Sequence, residues 1–501
     1  MIKISDKVLK KQENFWNNAL FHPTDAVEDS WGKRIIDRFA KDKTIDTIRI
    51  YTMFEDIVYE DMEGNLCYDF RANDLRLDYL VRNGFNVLLA YAAMPDCIAK
   101  RTDTTTSASF NKTRYKGKMF NTSPPKDYAL WEEVCYQYTK HIVERYGIET
   151  VSKWRMQCWN EPDVRNFFMS EIPETDEYTP LRIPEYNKLY ESFVKGVLRV
   201  SDKLTIGGPA VAFKVKLLEG WLKFVKEKNL RVDFISVHNY GTNPSAMQEK
   251  TKPACIENHL VRQKKYIECI NEAGFKGVPI LIDEWGLADH GYSNCTQFPS
   301  LICRETEVLS AYFVKLVHAF IHSEYEMDKL MICLSGQHEM TENFTGFRNF
   351  FTLDFIAKPI YNSYVLASKL KEDLLDYSTD NKSLAVIPTR DGEGNIALLL
   401  SYANKYFTEE VESITEELTF EENLKGKKLT VWCIDKTHTN PYRLFQKKGM
   451  TEPLSPEEIK LLREEGKLKP IFEGEYDGKA IKLDLTPNSA YLITYCQRNI
   501  K

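Results

Sequence analysis

Two glutamates stand at the ends of apolar runs, where a carboxylate is out of place unless it has chemistry to do. Glu161 follows the run "KWRMQCWN", and Glu284 follows "VPILID". Cleavage of a glycosidic bond needs such a pair across a pocket. One carboxyl group, held protonated, gives a proton to the leaving oxygen, and the other attacks the anomeric carbon or activates water. Either glutamate alone would be read as a solvated strand end, but the pair predicts glycoside hydrolysis.

The runs that carry the glutamates belong to a series of apolar, β-rich segments. These segments are residues 15–23, 44–51, 85–93, 152–160, 204–210, 232–240, 278–286 and 329–336. Such runs are typical of strands buried on both faces, as in a parallel sheet. Amphipathic stretches lie between them. The clearest covers residues 124–147, with Asp127 as its N-cap and Gly147 as its C-terminal stop.

This alternation predicts an α/β fold, a (β/α)₈ TIM barrel over residues 14–360. The alternative is an open doubly wound sheet, but no Gly-rich phosphate turn follows a strand. From residue 361 the pattern changes to strands around a Gly-containing turn, as in "SLAVIPTRDGEGNIALLLSYAN". Residues 361–501 are therefore expected to form an antiparallel β-sandwich domain, joined by residues 1–13.

A barrel of this kind would bring the two glutamates together. Glu161 closes the fourth predicted strand and Glu284 the seventh, and active sites of such barrels lie at the C-terminal ends of the strands. Their aromatic neighbours Trp159 and Trp285 offer flat faces for sugar rings. The two carboxylates are therefore expected to face one central pocket, although 123 residues (284 − 161) separate them in the sequence.

Composition excludes several classes of partner. The 501 residues carry a net charge of −6 with no long block of like charge, so neither nucleic acid nor a membrane is expected as a partner. No apolar leader or membrane-spanning run is visible. The 11 cysteines include no CxxC pair, which favours a reducing, cytoplasmic location. The location would be secreted or periplasmic if a leader had been removed, and homo-oligomer formation is left open.

Several motifs together resemble a known family. "CWNEPDV" followed by "ILIDEWG" is similar to retaining glycosidases with an Asn-Glu acid/base on strand four and a Glu nucleophile on strand seven. More narrowly, the chain resembles glycoside hydrolase family 39, the family of β-xylosidases and α-L-iduronidases. "FWNNALFHP", "SPPKDYALWEEV", "VDFISVHNYG" and "IDKTHTNPYRLFQKKGM" add to that resemblance.

The resemblance implies a retaining exo-glycoside hydrolase acting on an oligosaccharide or small glycoside, with β-xylosidase as the favoured activity. Arabinosidase, α-L-iduronidase-like and glucosidase-like activities are alternatives within the fold. A further alternative is a non-catalytic carbohydrate-binding barrel, against which the intact Glu161 and Glu284 argue.

Roles for individual residues also follow from the resemblance. Glu161 would be the acid/base and Glu284 the nucleophile. Asn160 would hold the sugar 2-hydroxyl, and Arg49 would bond to the nucleophile carboxylate. The expected substrate-binding residues are Asn160, His238, Tyr240, Arg49, Trp285 and Phe347. No metal and no organic cofactor is implied.

Departures from the family pattern bear on the sugar. Tyr51 stands where a histidine is expected after strand two, and Ala90 where a glutamate usually precedes Met-Pro. The lysine that suits a uronate carboxylate is missing after His238, in "HNYG". A neutral, pentose-like sugar is therefore expected, although Arg348 could meet an acidic group.

Two further features have competing interpretations. His318 and His322 are four residues apart, a spacing found in zinc sites, but no third ligand is obvious and two residues on one helix face are favoured. The long polar segment 97–125 is expected to be either a lid over the active-site mouth or a disordered surface loop.

Overall fold

The computed structural model describes residues 1–21, 27–107, 119–172, 178–291, 293–324, 327–407 and 412–496. The strands are β1 (Ile2–Lys11), β2 (Asn18–Phe21), β3 (Thr47–Tyr51), β4 (Val58–Glu60), β5 (Leu66–Tyr68), β6 (Asn86–Tyr91), β7 (Thr105–Ser107), β8 (Met119–Asn121), β9 (Arg155–Cys158), β10 (Thr205–Val211), β11 (Phe234–Thr242), β12 (Ile280–Ala288), β13 (Lys329–Leu334), β14 (Asp373–Thr379), β15 (Leu384–Arg390), β16 (Ile396–Tyr402), β17 (Ile414–Phe420), β18 (Lys428–Ile434), β19 (Pro470–Glu475), β20 (Ile481–Leu485) and β21 (Ser489–Cys496).

The helices are α1 (Ser30–Asp42), α2 (Arg71–Arg82), α3 (Tyr128–Tyr146), α4 (Ile148–Val151), α5 (Tyr178–Leu198), α6 (Val215–Glu227), α7 (Pro244–Gln248), α8 (Ile256–Glu272), α9 (Glu307–Ile321), α10 (Pro359–Ala367), α11 (Pro441–Lys447) and α12 (Pro456–Glu465). Helix α3 begins and ends as its sequence predicts. Asp127 accepts a hydrogen bond from the Ala129 N–H, and Gly147 follows the helix with φ of 80°.

Eight parallel strands close into a barrel in the order β2-β3-β6-β9-β10-β11-β12-β13. Each strand lies within, or overlaps closely with, one of the eight apolar runs of the sequence. Strands β11 and β12 are buried at every position because their inner face packs in the barrel and their outer face packs under helices. The (β/α)₈ prediction is confirmed.

The C-terminal part of the chain forms a nine-stranded sheet in the order β19-β18-β21-β16-β15-β14-β1-β17-β20. Strand β1 comes from the N-terminus and pairs antiparallel with β14 and parallel with β17. The other pairs are antiparallel. The sheet curls around an apolar core to which both of its halves contribute, which agrees with the predicted sandwich.

Side-chain alternation attaches this sheet to the barrel. On β16, Ala397 and Leu399 belong to the same apolar core as the barrel helices, whereas Leu398 and Leu400 belong to the core inside the curled sheet. Helices α9 and α10 lie between the sheet and the barrel. Among the described residues, no helix has both the length and the apolar character needed to cross a membrane.

Candidate active site

A sharply turned backbone places Glu161 at the C-terminal end of β9. Trp159 and Glu161 have φ of 67° and 45°, in the left-handed region that residues other than glycine rarely adopt. The Glu161 N–H donates to the Ala210 carbonyl at 3.0 Å, across to β10. The Asp163 carboxylate fixes the next loop by accepting three backbone N–H groups, those of Ala212, Phe213 and Lys214. Strain of this kind is concentrated at functional sites.

A β-bulge places Glu284 in the barrel. Val237 of β11 pairs with Ile282 of β12, but His238 pairs with Glu284, so Asp283 is an extra residue on β12. Bulges change the direction of side chains next to active sites. Here Asp283 and Glu284 both contact Arg49, at 3.2 and 3.0 Å, although they are consecutive in the sequence.

Positive charge and hydrogen-bond donors surround Glu284. Arg49 Nη1 lies 3.0 Å from Glu284 Oε1, and the Tyr240 hydroxyl donates to Oε2 at 2.7 Å. Arg348 in turn donates to the Tyr240 hydroxyl at 2.7 Å. Burial alone would raise the pKa of Glu284, but His238, Arg49 and Arg348 outweigh it and lower the pKa to about 2. Glu284 is therefore ionised near neutral pH.

Glu161 has the opposite electrostatic environment. Burial raises its pKa to about 7, the Glu284 charge adds to the increase, and the contact with His238 opposes it. His238 Nδ1 lies 2.7 Å from Glu161 Oε1. Two carboxyl groups whose environments separate their pKa values in this way are suited to acid and nucleophile roles.

Arg49 connects these groups. It is fully buried and donates to the Asn160 amide oxygen at 2.8 Å and to the Gln157 amide oxygen at 2.9 Å, besides its contact with Glu284. Asn160, His238 and Tyr240, all expected at the site, are thus brought together there. Gln157 is not among the predicted site residues, although a polar residue inside the apolar strand "RMQC" is a signal for it.

The reactive atoms are close together. One atom each from Glu161, His238 and Glu284 lies within 4.8 Å of the other two. Metal ligands can have that spacing, but two guanidinium groups, Arg49 and Arg348, raise the electrostatic cost of placing a cation beside Glu284. The positive charge around Glu284 therefore disfavours a metal ion between these three side chains.

Comparison with known proteins identifies the family of the chain. The sequence model of "Glycosyl hydrolases family 39" matches residues 1–475. The chain belongs to glycoside hydrolase family 39. It is accordingly an O-glycosyl hydrolase.

Individual relatives of this family 39 member are similar over different lengths. A "Beta-xylosidase" of Caldicellulosiruptor saccharolyticus is 26% identical, covering 97% of this chain and 96% of the relative. An "Alpha-L-iduronidase" of the dog is 24% identical, covering 50% of this chain and 37% of the relative. A solved family 39 β-xylosidase structure from Caulobacter crescentus superimposes with a TM-score of 0.79, covering 99% of both chains at 20% identity, and so supports the fold.

Two expected sugar contacts in the family 39 enzyme are wrong. Trp285 follows the bulge and points out of the barrel, where its buried ring stacks on Phe313 of α9 with centroids 5.9 Å apart. Phe347 is 1% exposed and packs against Gly336. Neither ring presents a face to a sugar, because each is used in packing.

Tyr51 and Ala90, two positions that depart from the family 39 pattern, lie at the wall of the pocket. The hydroxyl of Tyr51 is 3.5 Å from Glu284 Oε1, and Ala90 lies beside it, pairing with it between β6 and β3. Phe120 of β8 contacts the Tyr51 ring with centroids 6.3 Å apart. Phe120 therefore lies beside the pocket. Residues 108–118 of the predicted lid lie outside the described residues, and the lid stays a prediction.

The His318–His322 pair lies away from the site of the family 39 enzyme. His318 contacts the Tyr377 hydroxyl at 2.7 Å, and burial lowers its pKa to about 3. Within the described ranges, no third Cys, Asp or Glu ligand completes a metal-binding group with the pair. These contacts favour the interpretation as two residues on one helix face.

Proposed function

We propose that the protein is a retaining exo-glycosidase with β-xylosidase activity, in which Glu284 is the nucleophile and Glu161 the acid/base. The observation that carries this proposal is the pair of glutamates with separated pKa values and oxygens within 4.8 Å of each other. Retaining enzymes hold the two carboxyl groups about 5–5.5 Å apart, too close for an attacking water between them. The full-length similarity to a β-xylosidase supports the choice of sugar.

In the first step, Glu284 attacks the anomeric carbon while Glu161 gives its proton to the leaving oxygen. The bond from the anomeric carbon to that oxygen breaks as the bond to a Glu284 oxygen forms. Arg49 and Tyr240 keep Glu284 ionised, since both contact its carboxylate. Glu161 is protonated below its pKa of about 7, as a general acid requires.

In the second step, water cleaves the ester between Glu284 and the sugar. Esterification removes the negative charge of Glu284, which is one of the causes that raise the pKa of Glu161. The Glu161 carboxylate left after the first step is therefore the base that takes a proton from water. The sugar is released in its original anomeric configuration.

The contacts of Asn160 fit a role in binding the sugar. Arg49 donates to the Asn160 amide oxygen at 2.8 Å, which leaves the amide nitrogen as the end that can donate to a substrate hydroxyl. The rigid contact fixes that nitrogen next to Glu161. We therefore propose that the Asn160 amide nitrogen donates a hydrogen bond to the 2-hydroxyl of the sugar.

A uronide is the second candidate substrate, and Arg348 is the observation that favours it. Its guanidinium donates to the Tyr240 hydroxyl at 2.7 Å and to the Ser335 hydroxyl at 3.2 Å. Tyr240 in turn donates to Glu284, so one side chain separates Arg348 from the nucleophile carboxylate. We place the neutral pentose first because Arg348 already has these partners. A strong preference for an iduronide over a xyloside would reverse the order.

A screen of nitrophenyl glycosides tests the proposal. The expected result is the highest kcat/KM for the β-D-xyloside, ahead of the arabinoside, the glucoside and the α-L-iduronide. Hydrolysis of none of these, combined with binding of sugars, would point to a carbohydrate-binding barrel. A 2-deoxy-2-fluoro xyloside should then trap an adduct on Glu284, and an adduct on another residue would refute the assignment of the nucleophile.

We also propose a cytoplasmic location. All eleven cysteines are free, and seven of them are buried, an arrangement that fits a reducing compartment. The proposed partner is a carbohydrate substrate. A measurement of mass in solution tests whether copies of the chain form a homo-oligomer.

A further inference from the structure

His238 contacts acidic groups through both of its ring nitrogens. Nδ1 lies 2.7 Å from Glu161 and 3.5 Å from Glu284, while Nε2 lies 3.7 Å from Asp283 Oδ1. Nε2 and Asp283 Oδ1 are both buried and have no hydrogen-bond partner among the described residues. A lone pair on Nε2 would face a carboxylate oxygen with no donor between them, which is unfavourable in a buried site.

The orientation of Asp283 is fixed from its other side. Asp283 Oδ2 accepts a hydrogen bond from Gln157 Nε2 at 2.6 Å and lies 3.2 Å from Arg49 Nε. Gln157 Nε2 also donates to the Ser236 hydroxyl at 2.7 Å, so the amide cannot rotate without losing both bonds. Asp283 therefore presents Oδ1 to His238 as an acceptor.

We propose that Asp283 is a positioning residue that keeps a proton on Nε2 of His238, so that His238 stands as a cation between the two catalytic carboxylates and donates Nδ1–H to Glu161. This inference rests on the proposed function. It adds to that function a residue that does not contact the sugar and acts through His238. The bulge at Asp283 is what brings the residue into the barrel.

The groups around His238 are consistent with a cation. The groups that contact its ring, or contact the carboxylates beside it, are Glu161, Asp283, Glu284, Arg49, Tyr51, Gln157 and Tyr240. Arg348 donates to the Tyr240 hydroxyl, and Tyr266 of α8 donates to the His238 backbone carbonyl. Burial alone would lower the pKa of His238, but the Glu284 and Asp283 carboxylates outweigh burial and raise the pKa to about 10.

Replacing Asp283 by asparagine should remove that cation. The amide oxygen of Asp283→Asn would take the place of Oδ2, because Gln157 and Arg49 both donate there. Its NH₂ group would then face Nε2, which must accept. His238 would become neutral with its remaining proton on Nδ1.

Nitrogen NMR of ¹⁵N-histidine-labelled protein tests the proton on Nε2 directly. The His238 signals can be assigned by their loss in His238→Asn. We expect Nε2 to be protonated in the wild type at pH 8, where an ordinary histidine is neutral, and unprotonated in Asp283→Asn. An unprotonated Nε2 in the wild type would overturn the proposal, even if Asp283→Asn did not fold. This measurement does not depend on glycosidase activity, so its failure is separate from failure of the proposed function.

The pH profile tests the consequence for Glu161. Contact with the His238 cation lowers the pKa of Glu161, so loss of the cation should move the basic limb of kcat/KM to higher pH by about 1 unit. Direct loss of the Asp283 charge would move the limb the other way, since a nearby negative charge raises a carboxyl pKa. A move to lower pH would therefore overturn the proposal.

A His238→Asn background is the control. Adding Asp283→Asn there should no longer move the basic limb upwards, because the group through which Asp283 acts is absent. An upward shift of the same size in both backgrounds would show that His238 is not the intermediary. Thermal unfolding of each variant establishes that the comparison is made on folded protein.

Discussion

Among the residues that the structure describes, two groups of side chains bring an imidazole and carboxylate or thiol atoms within 4.8 Å of one another. They are the barrel group, Glu161, His238 and Glu284, and the sheet group, Cys433, Asp435 and His438. By residue type and spacing alone the two groups look equally capable of chemistry. Their hydrogen-bond and charge partners, however, differ: residues far apart in the sequence surround the barrel group, and the backbone of one turn surrounds the sheet group.

The sheet group is satisfied by its own turn. Asp435 Oδ1 accepts the backbone N–H of Thr437 at 2.7 Å and that of His438 at 2.8 Å. Burial opposes these bonds, but they lower the pKa of Asp435, so its carboxylate is already solvated by the backbone. Burial raises the pKa of the Cys433 thiol, which keeps it from becoming a thiolate ligand or nucleophile. Asp435 therefore shapes a turn.

The barrel group is held by residues far apart in the sequence. Glu284 is bonded by Arg49 and Tyr240, 235 and 44 residues away, and Glu161 contacts His238, 77 residues away. None of these partners belongs to a local turn, and the charges leave one carboxyl protonated and the other ionised. The difference teaches that the partners of a carboxylate indicate its role better than the residue types around it do. What matters is whether those partners are the backbone of its own turn or charged side chains far away in the sequence.

The largest expected effect comes from removing the proposed nucleophile. Glu284→Gln keeps the shape of the side chain but cannot form the covalent intermediate, so kcat should fall by roughly 10⁴-fold or more. Steady-state kinetics with a nitrophenyl xyloside measures this. In the sheet group, Asp435→Asn is the matched change of carboxylate to amide, and we expect it to leave kcat within about twofold of wild type. Comparable losses in both would remove the distinction between the groups.

Removing the acid should give a smaller loss that depends on the leaving group. Glu161→Ala should lower kcat/KM by about 10²–10⁴-fold for substrates with poor leaving groups, which need protonation. Activated aryl glycosides should be spared in the first step, and azide should restore turnover by replacing water in the second. Equal losses for both substrate types, without an effect of azide, would contradict the acid/base role of Glu161.

The pH dependence should report the separated pKa values. In the proposed mechanism the active form has Glu284 ionised and Glu161 protonated, so we expect activity at a pH above about 2 and below about 7. On the basic side kcat/KM should fall about tenfold per pH unit as Glu161 loses its proton. In Glu161→Gln the amide does not titrate, so the remaining activity on an activated substrate should lose the basic limb. Retention of a limb near pH 7 would assign it to another group.

The barrel strands and the two glutamates could be predicted from the sequence, because both predictions depend on burial. Long apolar runs identified the eight barrel strands, and a glutamate at the end of a run identified Glu161 and Glu284. The directions of side chains could not be predicted in the same way. One extra residue at Asp283 changes which face every later residue of β12 occupies, so the sequence wrongly predicts that Trp285 contacts the sugar and gives no signal for Asp283.

The smallest expected effect tests the sheet group itself. His438 has a side chain that is 47% exposed, and its ring adds only one contact to an Asp435 oxygen that already has two backbone donors. His438→Ala should therefore change the free energy of unfolding by no more than about 0.5 kcal/mol. Denaturant unfolding measures that change. In the wild type, neither added zinc nor a chelator should alter the free energy of unfolding. A chelator that lowers the wild-type stability but not that of His438→Ala would instead show that the sheet group binds a metal, because only the wild type would then retain all three ligands.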